Sequence, residues 1–562
     1  MKLFKLGKAY TSPEEKKRLR SDWALAVLSG ILLAISFPPI PLYFFMFAAL
    51  VPLFIVWNRR SGLGEINRIT YLFGLVFSII TLYWVGSWQP DTDPFLMISG
   101  VAILFFNPIL FLIPSTLFYF AKKLWNKKWI YFFVPMFWVT NEYVYSITDL
   151  KFPWLAFGHG LAYFKSFIQI AEFIGAHGIT LLVVLINVFV FLLFIEYKEN
   201  RKINYKILIP VILFIVLPII WGNIKLNTFS LNDKTIRVGL IQPNFNPWKK
   251  WDAGNLSDQL NQYLELSAEA VDDGAELIVW PETALPTYFL SGNYDGDVNK
   301  LKTFTRINHV PVLTGMPHAN FYFDHAIAPE DAKPVRNSKA LYTSYNSVLL
   351  FDPNIERVER YGKIMLVPFG ERVPFIDVIP ILGDFFKWNV GISSWNVGKD
   401  TVVFQVPHIV DKENPGLVEY IPTAGVICIE SIYADFIARF VQRGAQLIAV
   451  VTNDSWYGDS SGPYQHKEIS VLRAIENRRS VVRAANGGIS CLINPLGYTI
   501  KETKMYTRDL LVVDVVLEND LTFFTKYPML VIRFSYLVSI LLIIVFTYRK
   551  IIDKVNRVRK TS

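Results

Sequence analysis

Ala424-Gly-Val-Ile-Cys-Ile-Glu-Ser431 is an apolar run that ends in a thiol and a carboxylate, and a helix-like segment, Tyr433 to Gly444, follows it. Such a run reads as a buried strand presenting Cys428 at its end, where side chains of α/β folds converge on a ligand. Cys428 is one of only 2 cysteines in 562 residues. Two further stretches carry the groups that such a thiol needs. Val279-Trp-Pro-Glu-Thr283 brings Glu282 just past another apolar run, and Tyr361-Gly-Lys-Ile-Met-Leu-Val-Pro-Phe-Gly-Glu371 brings Lys363 and Glu371.

Around these stretches, strand-like and helix-like segments alternate from 223 to 526. Strands are expected at Thr235 to Gln242, Glu276 to Trp280, Pro311 to Gly315, Asn346 to Phe351, Ala424 to Ile429, Leu447 to Thr452, Gly488 to Asn494 and Leu510 to Val516. Helices are expected at Asn255 to Val271, Asp297 to Asn308, Tyr433 to Gly444 and, as one long element, His466 to Ala485. The alternation indicates a layered α/β fold, with Asn223 to Lys234 as the linker before it.

The rest of the chain is far more apolar. Hydrophobic residues make up 52% and charged ones 18%, with mean hydropathy +0.33, against about 25% charged in ordinary soluble domains. Eight apolar stretches approach the length of about 20 residues that a membrane span needs: 23–38, 41–58, 71–88, 96–120, 130–147, 175–196, 207–222 and 528–548. The expected organisation is an N-terminal membrane bundle (1–222), a soluble catalytic domain (223–526), and a last membrane helix with a basic tail (527–562). Lys and Arg gather in both tails and in alternate connections, as at Arg59, Arg60 and Arg68, or Lys198, Arg201 and Lys202. This bias puts both tails in the cytoplasm and the soluble domain on the far side. No cleavable signal-peptide pattern precedes the first span. The net charge of +9 is therefore a topology signal, not a nucleic-acid footprint, which needs Lys and Arg clustered on one folded face.

A cysteine attacks as thiolate, yet a free thiol has a pKa of about 8.5 and a free glutamate about 4.3. For Glu282 to take the thiol proton, the site must narrow a gap worth on the order of 5–6 kcal/mol. Burial raises a carboxylate, and the Lys363 ammonium stabilises a thiolate and then an oxyanion. If the backbone stays extended, Glu430, two residues on, points the same way as Cys428; Glu430 and Glu371 are expected to position Lys363 or the substrate. Taken singly, each residue has an ordinary reading: a buried cysteine, a surface carboxylate, a solvated lysine. Their joint occurrence makes the catalytic case. Cys491 reads as core, and a Cys428–Cys491 disulfide is an open alternative outside the cytoplasm. The 7 histidines show no paired ligand spacing, so neither a metal nor a cofactor is expected.

These residues resemble the nitrilase superfamily, whose members carry a Glu-Lys-Cys triad on an αββα sandwich. With the membrane spans added, the chain resembles the apolipoprotein N-acyltransferase family over most of its length. Ser36-Phe-Pro-Pro39, Phe152-Pro-Trp154, Ile241-Gln-Pro-Asn244, Thr452-Asn-Asp-Ser-Trp-Tyr-Gly458, Gln465-His466, Arg473 to Arg478 and Arg483 to Asn486 follow that pattern. The resemblance implies Glu282 as base, Lys363 as stabiliser and Cys428 as nucleophile, with Glu371, Glu430 and Trp251 in support. It also implies a bacterial inner-membrane enzyme with a periplasmic catalytic domain, working as a monomer. Its acyl donor would be a phospholipid and its acceptor a diacylglyceryl lipoprotein. Two departures stand out: Ile429 replaces an aromatic residue often found after the nucleophile, and Glu142-Tyr-Val-Tyr145 lacks an arginine that commonly follows this glutamate.

Pro380 to Asn389, with Phe386 and Trp388, reads together with Trp395 as an apolar lid or interfacial arm, or else as ordinary core packing. Trp84 and Trp88 read as an interfacial aromatic belt. Among functions, the alternatives are a membrane-tethered nitrilase or amidase acting on a small amide, a noncatalytic lipid-binding module, and a transporter. The transporter would need an intramembrane charge network, for which Glu142 and Glu172 are the candidates.

Overall fold

The computed structural model describes residues 12–250, 256–375, 395–409 and 418–561. All eight apolar stretches fall on helical elements. Helices α1 (Pro13–Ala34), α2 (Val51–Arg59), α3 (Leu63–Leu82), α4 (Pro94–Leu110), α5 (Leu112–Trp125) and α6 (Val134–Ile147) form the first part, followed by Ala171–Asn200, Tyr205–Thr228 and Leu530–Thr561. Among the described residues, five spans are long and apolar enough to cross a bilayer: Leu63–Gly86, Leu96–Trp125 (α4 running into α5), Ala171–Asn200, Tyr205–Thr228 and Leu530–Arg559. The stretches in α1, α2 and α6 fall short because α1 is charged over its first turns and α2 and α6 have only 9 and 14 residues. The helix Tyr205–Thr228 runs six residues past the expected end of its span at 222. It exposes Ile209, Ile212, Leu213, Leu217, Ile220 and Ile224. Leaving such side chains in water forgoes about 1.5–3 kcal/mol each, so this face is solvated by lipid.

The soluble part is a sandwich of two sheets. The first contains β1 (Thr235–Gln242), β2 (Leu277–Trp280), β3 (Val312–Tyr322), β4 (Lys333–Pro334), β5 (Leu341–Phe351), β6 (Glu359–Gly362) and β13 (Asp509–Val516), in the order β13-β1-β2-β3-β5-β4 with β6 also on β5. The second contains β7 (Val403–Ile409), β8 (Val418–Ile427), β9 (Leu447–Thr452), β10 (Ser480–Ala485), β11 (Cys491–Ile493) and β12 (Thr499–Glu502), in the order β12-β11-β10-β9-β8-β7. Each sheet has a parallel centre, β1-β2-β3 and β8-β9-β10, flanked by antiparallel strands. The faces meet where β1 packs on β10, β2 and β3 on β9, and β5 on β8. Helices Leu256–Asp272 and Ser461–Asn477 cover the outer faces. The central strands are buried on both sides, so they read as continuous apolar runs.

One expected element divides. His466 to Ala485 is not a single helix: the helix ends at Asn477, Arg478 turns the chain at φ +47, and Ser480–Ala485 is strand β10. β10 pairs in parallel with β9 and is buried at all six positions. Pairing of this β-branched segment in the sheet centre overrides helical continuation.

The soluble domain is bolted to the membrane helices. Gln465 accepts from Trp154 Nε1 (2.8 Å) and Trp84 Nε1 (3.2 Å) and donates to Thr81 O (3.1 Å). Gly462 lets the helix approach the indole, since a Cβ there would lie 2.7 Å from Trp84. Trp84 is therefore buried at the domain junction and is not part of an interfacial belt; Trp88 is half exposed. Nearby, Glu476 accepts from Ala176 N (2.7 Å), and Arg478 pairs with Glu172 at 3.0 Å. Glu142 is likewise satisfied structurally, by Phe157 N, Thr180 and His177 at 2.9–3.0 Å. Gln465→Leu leaves the buried Trp154 N–H without its acceptor, while Trp84 Nε1 and the Thr81 carbonyl keep each other at 3.0 Å. It is expected to cost about 1–3 kcal/mol, read as a lowered Tm of the detergent-solubilised protein.

Candidate active site

Three strand ends deliver the three predicted residues. Cys428 directly follows β8, Lys363 directly follows β6, and Glu282 lies two residues past β2. Gly315 on the neighbouring strand makes room for Glu282, because a Cβ there would meet the Glu282 Cα at 2.6 Å. Cys428 sits at φ +48 and Thr283 at φ +52, in the left-handed region that side-chain-bearing residues seldom occupy. Strain of this kind persists only where the surroundings over-determine it, and it clusters at functional sites.

Lys363 is buried between two carboxylates. Its Nζ lies 3.3 Å from Glu282 Oε1 and 2.8 Å from Glu371 Oε2. Asn346 Nδ2 donates to both acids, at 2.8 Å to Glu282 and 2.7 Å to Glu371, and Val367 N holds the other Glu371 oxygen at 2.8 Å. Burial alone would depress Lys363, but Glu371 and then Glu282 outweigh it and hold the ammonium well above its ordinary pKa. Burial, followed by the Glu282 charge, pushes the Cys428 thiol well up, with the Lys363 ammonium opposing them. Cys428 at rest is thus a thiol near the Glu282 carboxyl group, with the Lys363 ammonium close to both. Both cysteines are free, so the disulfide alternative is set aside. Burial raises Cys491, inside β11, to about 12.

Glu430 departs from the expectation that it shares the direction of Cys428. The backbone is not extended there: Cys428 opens a 3-10 turn, Cys428–Ile432. Glu430 is fully buried and accepts from Tyr361 OH (2.6 Å), Ile364 N (2.7 Å), Met365 N (3.1 Å) and Ile427 N (3.0 Å). It clamps the end of β6 to the end of β8, and so fixes the backbone on either side of the site.

Sequence reasoning missed three supports. Asn346 is a lone amide at the start of an otherwise apolar segment, which is the only signal it gives. Lys250 precedes Trp251 in an unremarkable basic pair; its buried Nζ donates to Thr283 O at 2.5 Å. Burial lowers it to about 7, with Glu282 acting the other way. His466 holds Asp454 at 2.8 Å through Nδ1 and meets Ser431 Oγ (3.0 Å) and Cys428 O (3.1 Å) through Nε2. Although these are Ser, His and Asp, Ser431 donates to Cys428 O (2.8 Å) and is absent from the cavity wall. The set therefore braces the strained backbone at Cys428.

Glu282, Lys363, Glu371, Asn346, Lys250 and Cys428 line one cavity, open at its mouth. Its opposite wall is apolar and belongs to the membrane helices and their loops: Val85, Leu96, Ile103 and Phe152. Trp395 lines it too and packs edge-on against Tyr288. Trp251, Phe386 and Trp388, and with them the proposed arm over 380–389, lie outside the described residues.

Residues 29–189 match the apolipoprotein N-acyltransferase N-terminal domain, and residues 237–519 match the carbon-nitrogen hydrolase family. An apolipoprotein N-acyltransferase of Chlorobaculum tepidum is 33% identical over 91% of this chain and 94% of its own. The chain belongs to the apolipoprotein N-acyltransferase family. A second member, from Geobacter metallireducens, is 28% identical over 90% of this chain and 92% of its own. An amidase of known structure from Nesterenkonia sp. aligns over 51% of this chain and 94% of its own at 17% identity, with a TM-score of 0.34. Ile429, where an apolipoprotein N-acyltransferase often has an aromatic residue, is buried in the core cluster.

Removing the Glu282 charge is expected to lower the Cys428 pKa by about one unit even as turnover is lost. The pH midpoint of Cys428 alkylation in Glu282→Gln should fall, and an unchanged or raised midpoint would contradict the electrostatic picture. Lys250 gives a stability signature. Its folded pKa of about 7 is below the ordinary value of about 10.4, so the unfolded chain binds more protons in between. Stability should therefore rise with pH from about 7 to about 10, and thermal unfolding of Lys250→Met should lose that part of the slope.

Proposed function

We propose that this protein N-acylates lipoproteins. An acyl chain moves from a membrane phospholipid, through a thioester on Cys428, to the α-amine of a diacylglyceryl-cysteine. The reading is carried by the cavity in which buried Glu282 and Lys363 and the partly exposed Cys428 face apolar residues of the membrane helices. A donor whose ester lies at the bilayer surface can reach the thiol there without drawing its chains through water.

In the first half-reaction Glu282 takes the Cys428 proton as sulfur attacks the sn-1 ester carbon. The C–S bond forms, the carbonyl electron pair moves onto oxygen, and Lys363 stabilises that oxyanion. Collapse breaks the C–O bond to glycerol; the proton on Glu282 passes to the departing alkoxide, and a lysophospholipid leaves. In the second half-reaction the acceptor amine attacks the thioester, Glu282 takes its proton, and collapse expels the thiolate, which recovers that proton. This is ping-pong covalent catalysis. Glu371 keeps Lys363 charged while Glu282 is protonated. One chain carries all three groups, so a monomer suffices. The Lys and Arg bias of tails and connections supports an inner-membrane protein whose catalytic domain faces the periplasm.

Hydrolysis of a small amide by the same triad is the weaker reading, because it gives the lipid-facing wall no role. Mass spectrometry after incubation with phospholipid decides between them. A stable acyl adduct on Cys428 that an amine discharges is expected, with none in Cys428→Ser and formation slowed at least about 10²-fold in Glu282→Gln. Rapid loss of the adduct to water would favour the hydrolase.

A further inference from the structure

A second cavity opens beside the catalytic one. Its lining includes Gln89 and Asp91 from the loop between α3 and α4, Asn244 and Asn246 after β1, and Ser455 and Tyr506. The two cavities share Pro247 as a wall. Ser455 faces the second cavity while its neighbours Trp456 and Tyr457 line the catalytic one. Trp248 meets Trp456 edge-on with ring centroids 4.8 Å apart, and its buried Nε1 has no acceptor among the described residues.

The chemistry of this lining selects an occupant. Three side-chain amides, two hydroxyls and the Asp91 carboxylate share the wall with Pro90, Phe245, Pro247 and Trp248, and among the described residues it has no lysine or arginine to hold a phosphate. Its apolar members are two rings and two prolines, with no Leu, Ile or Val among the described residues, and they stand between polar groups, a mixed wall that suits a peptide better than a fatty chain. Side-chain amides and hydroxyls do match peptide N–H and C=O groups, which every polypeptide presents whatever its sequence. We propose that this cavity receives the first residues of the acceptor polypeptide, those that follow its lipid-modified cysteine, and reads them through their main chain. The inference rests on the acyl-transfer reading above, in which the acceptor's amine must reach Cys428 while its polypeptide leaves on the aqueous side. Pro247 and Trp456 then divide the lipid end of the acceptor from its peptide end.

The test uses the full-length protein in phospholipid nanodiscs, with Asp91→Trp filling the cavity and Gln89→Ala removing an amide. Two acceptors are compared: a diacylglyceryl-cysteinyl hexapeptide and diacylglyceryl-cysteine amide, which has no further residue. Thioester formation on Cys428 should stay within about twofold of the parent in both variants. Transfer to the hexapeptide should lose about tenfold in kcat/KM in Asp91→Trp, while transfer to the amide is unchanged. An equal loss with both acceptors, or no loss with either, would overturn the peptide site. Failure of the parent to form any thioester would instead overturn the acyl-transfer reading, and the site with it.

Discussion

Lys363 lies between Glu282 and Glu371 with almost no water contact, and the chemistry depends on that placement. A buried ammonium is tolerated only when paired, and a single carboxylate partner would be lost once that partner accepted a proton. In the proposed reaction the second acid removes the difficulty: Glu371, held by Asn346 and a backbone N–H, still contacts Lys363 when Glu282 takes up a proton. Transfer of a proton from thiol to Glu282 then leaves the total charge of the site unchanged, which a low-dielectric pocket favours. The strained backbone at Cys428 is stabilised in the same spirit, by hydrogen bonds to its carbonyl from below and by the clamp of Glu430 on both strand ends.

The two halves of the chain form one site because neither closes the cavity alone. Polar groups of the sandwich make one wall and apolar residues of the membrane helices make the other. The junction around Gln465 is built from buried hydrogen bonds to two indoles, contacts that lose strength sharply with displacement. That geometry holds the opposing walls in register.

Much of this was legible in the chain. Apolar runs ending in Glu282 and Cys428 gave the strand ends, because central strands buried on both faces leave a continuous hydrophobic record. Lys363 followed from the need of a thiolate for a nearby cation. What could not be read was whatever depends on backbone direction or on partners distant in sequence. The left-handed turn at Cys428 sends Glu430 away from the thiol, and no local pattern announces it. Asn346, Lys250 and His466 gain their roles only through contacts made across the fold. Trp84 looked like a bilayer anchor because aromatic composition at the end of a span does not distinguish a lipid neighbour from a protein one. The long helix expected through 485 failed for a related reason: helical preference persists past Asn477, but a sheet position was waiting for the next segment.

The indole-locked junction has a further consequence for selectivity. A catalytic domain on a flexible stalk would sample every height above the bilayer, whereas this one carries its nucleophile at a single altitude. On the proposed chemistry, the enzyme works as a ruler. A donor would have to bring its ester carbonyl to that level of the headgroup layer to be attacked.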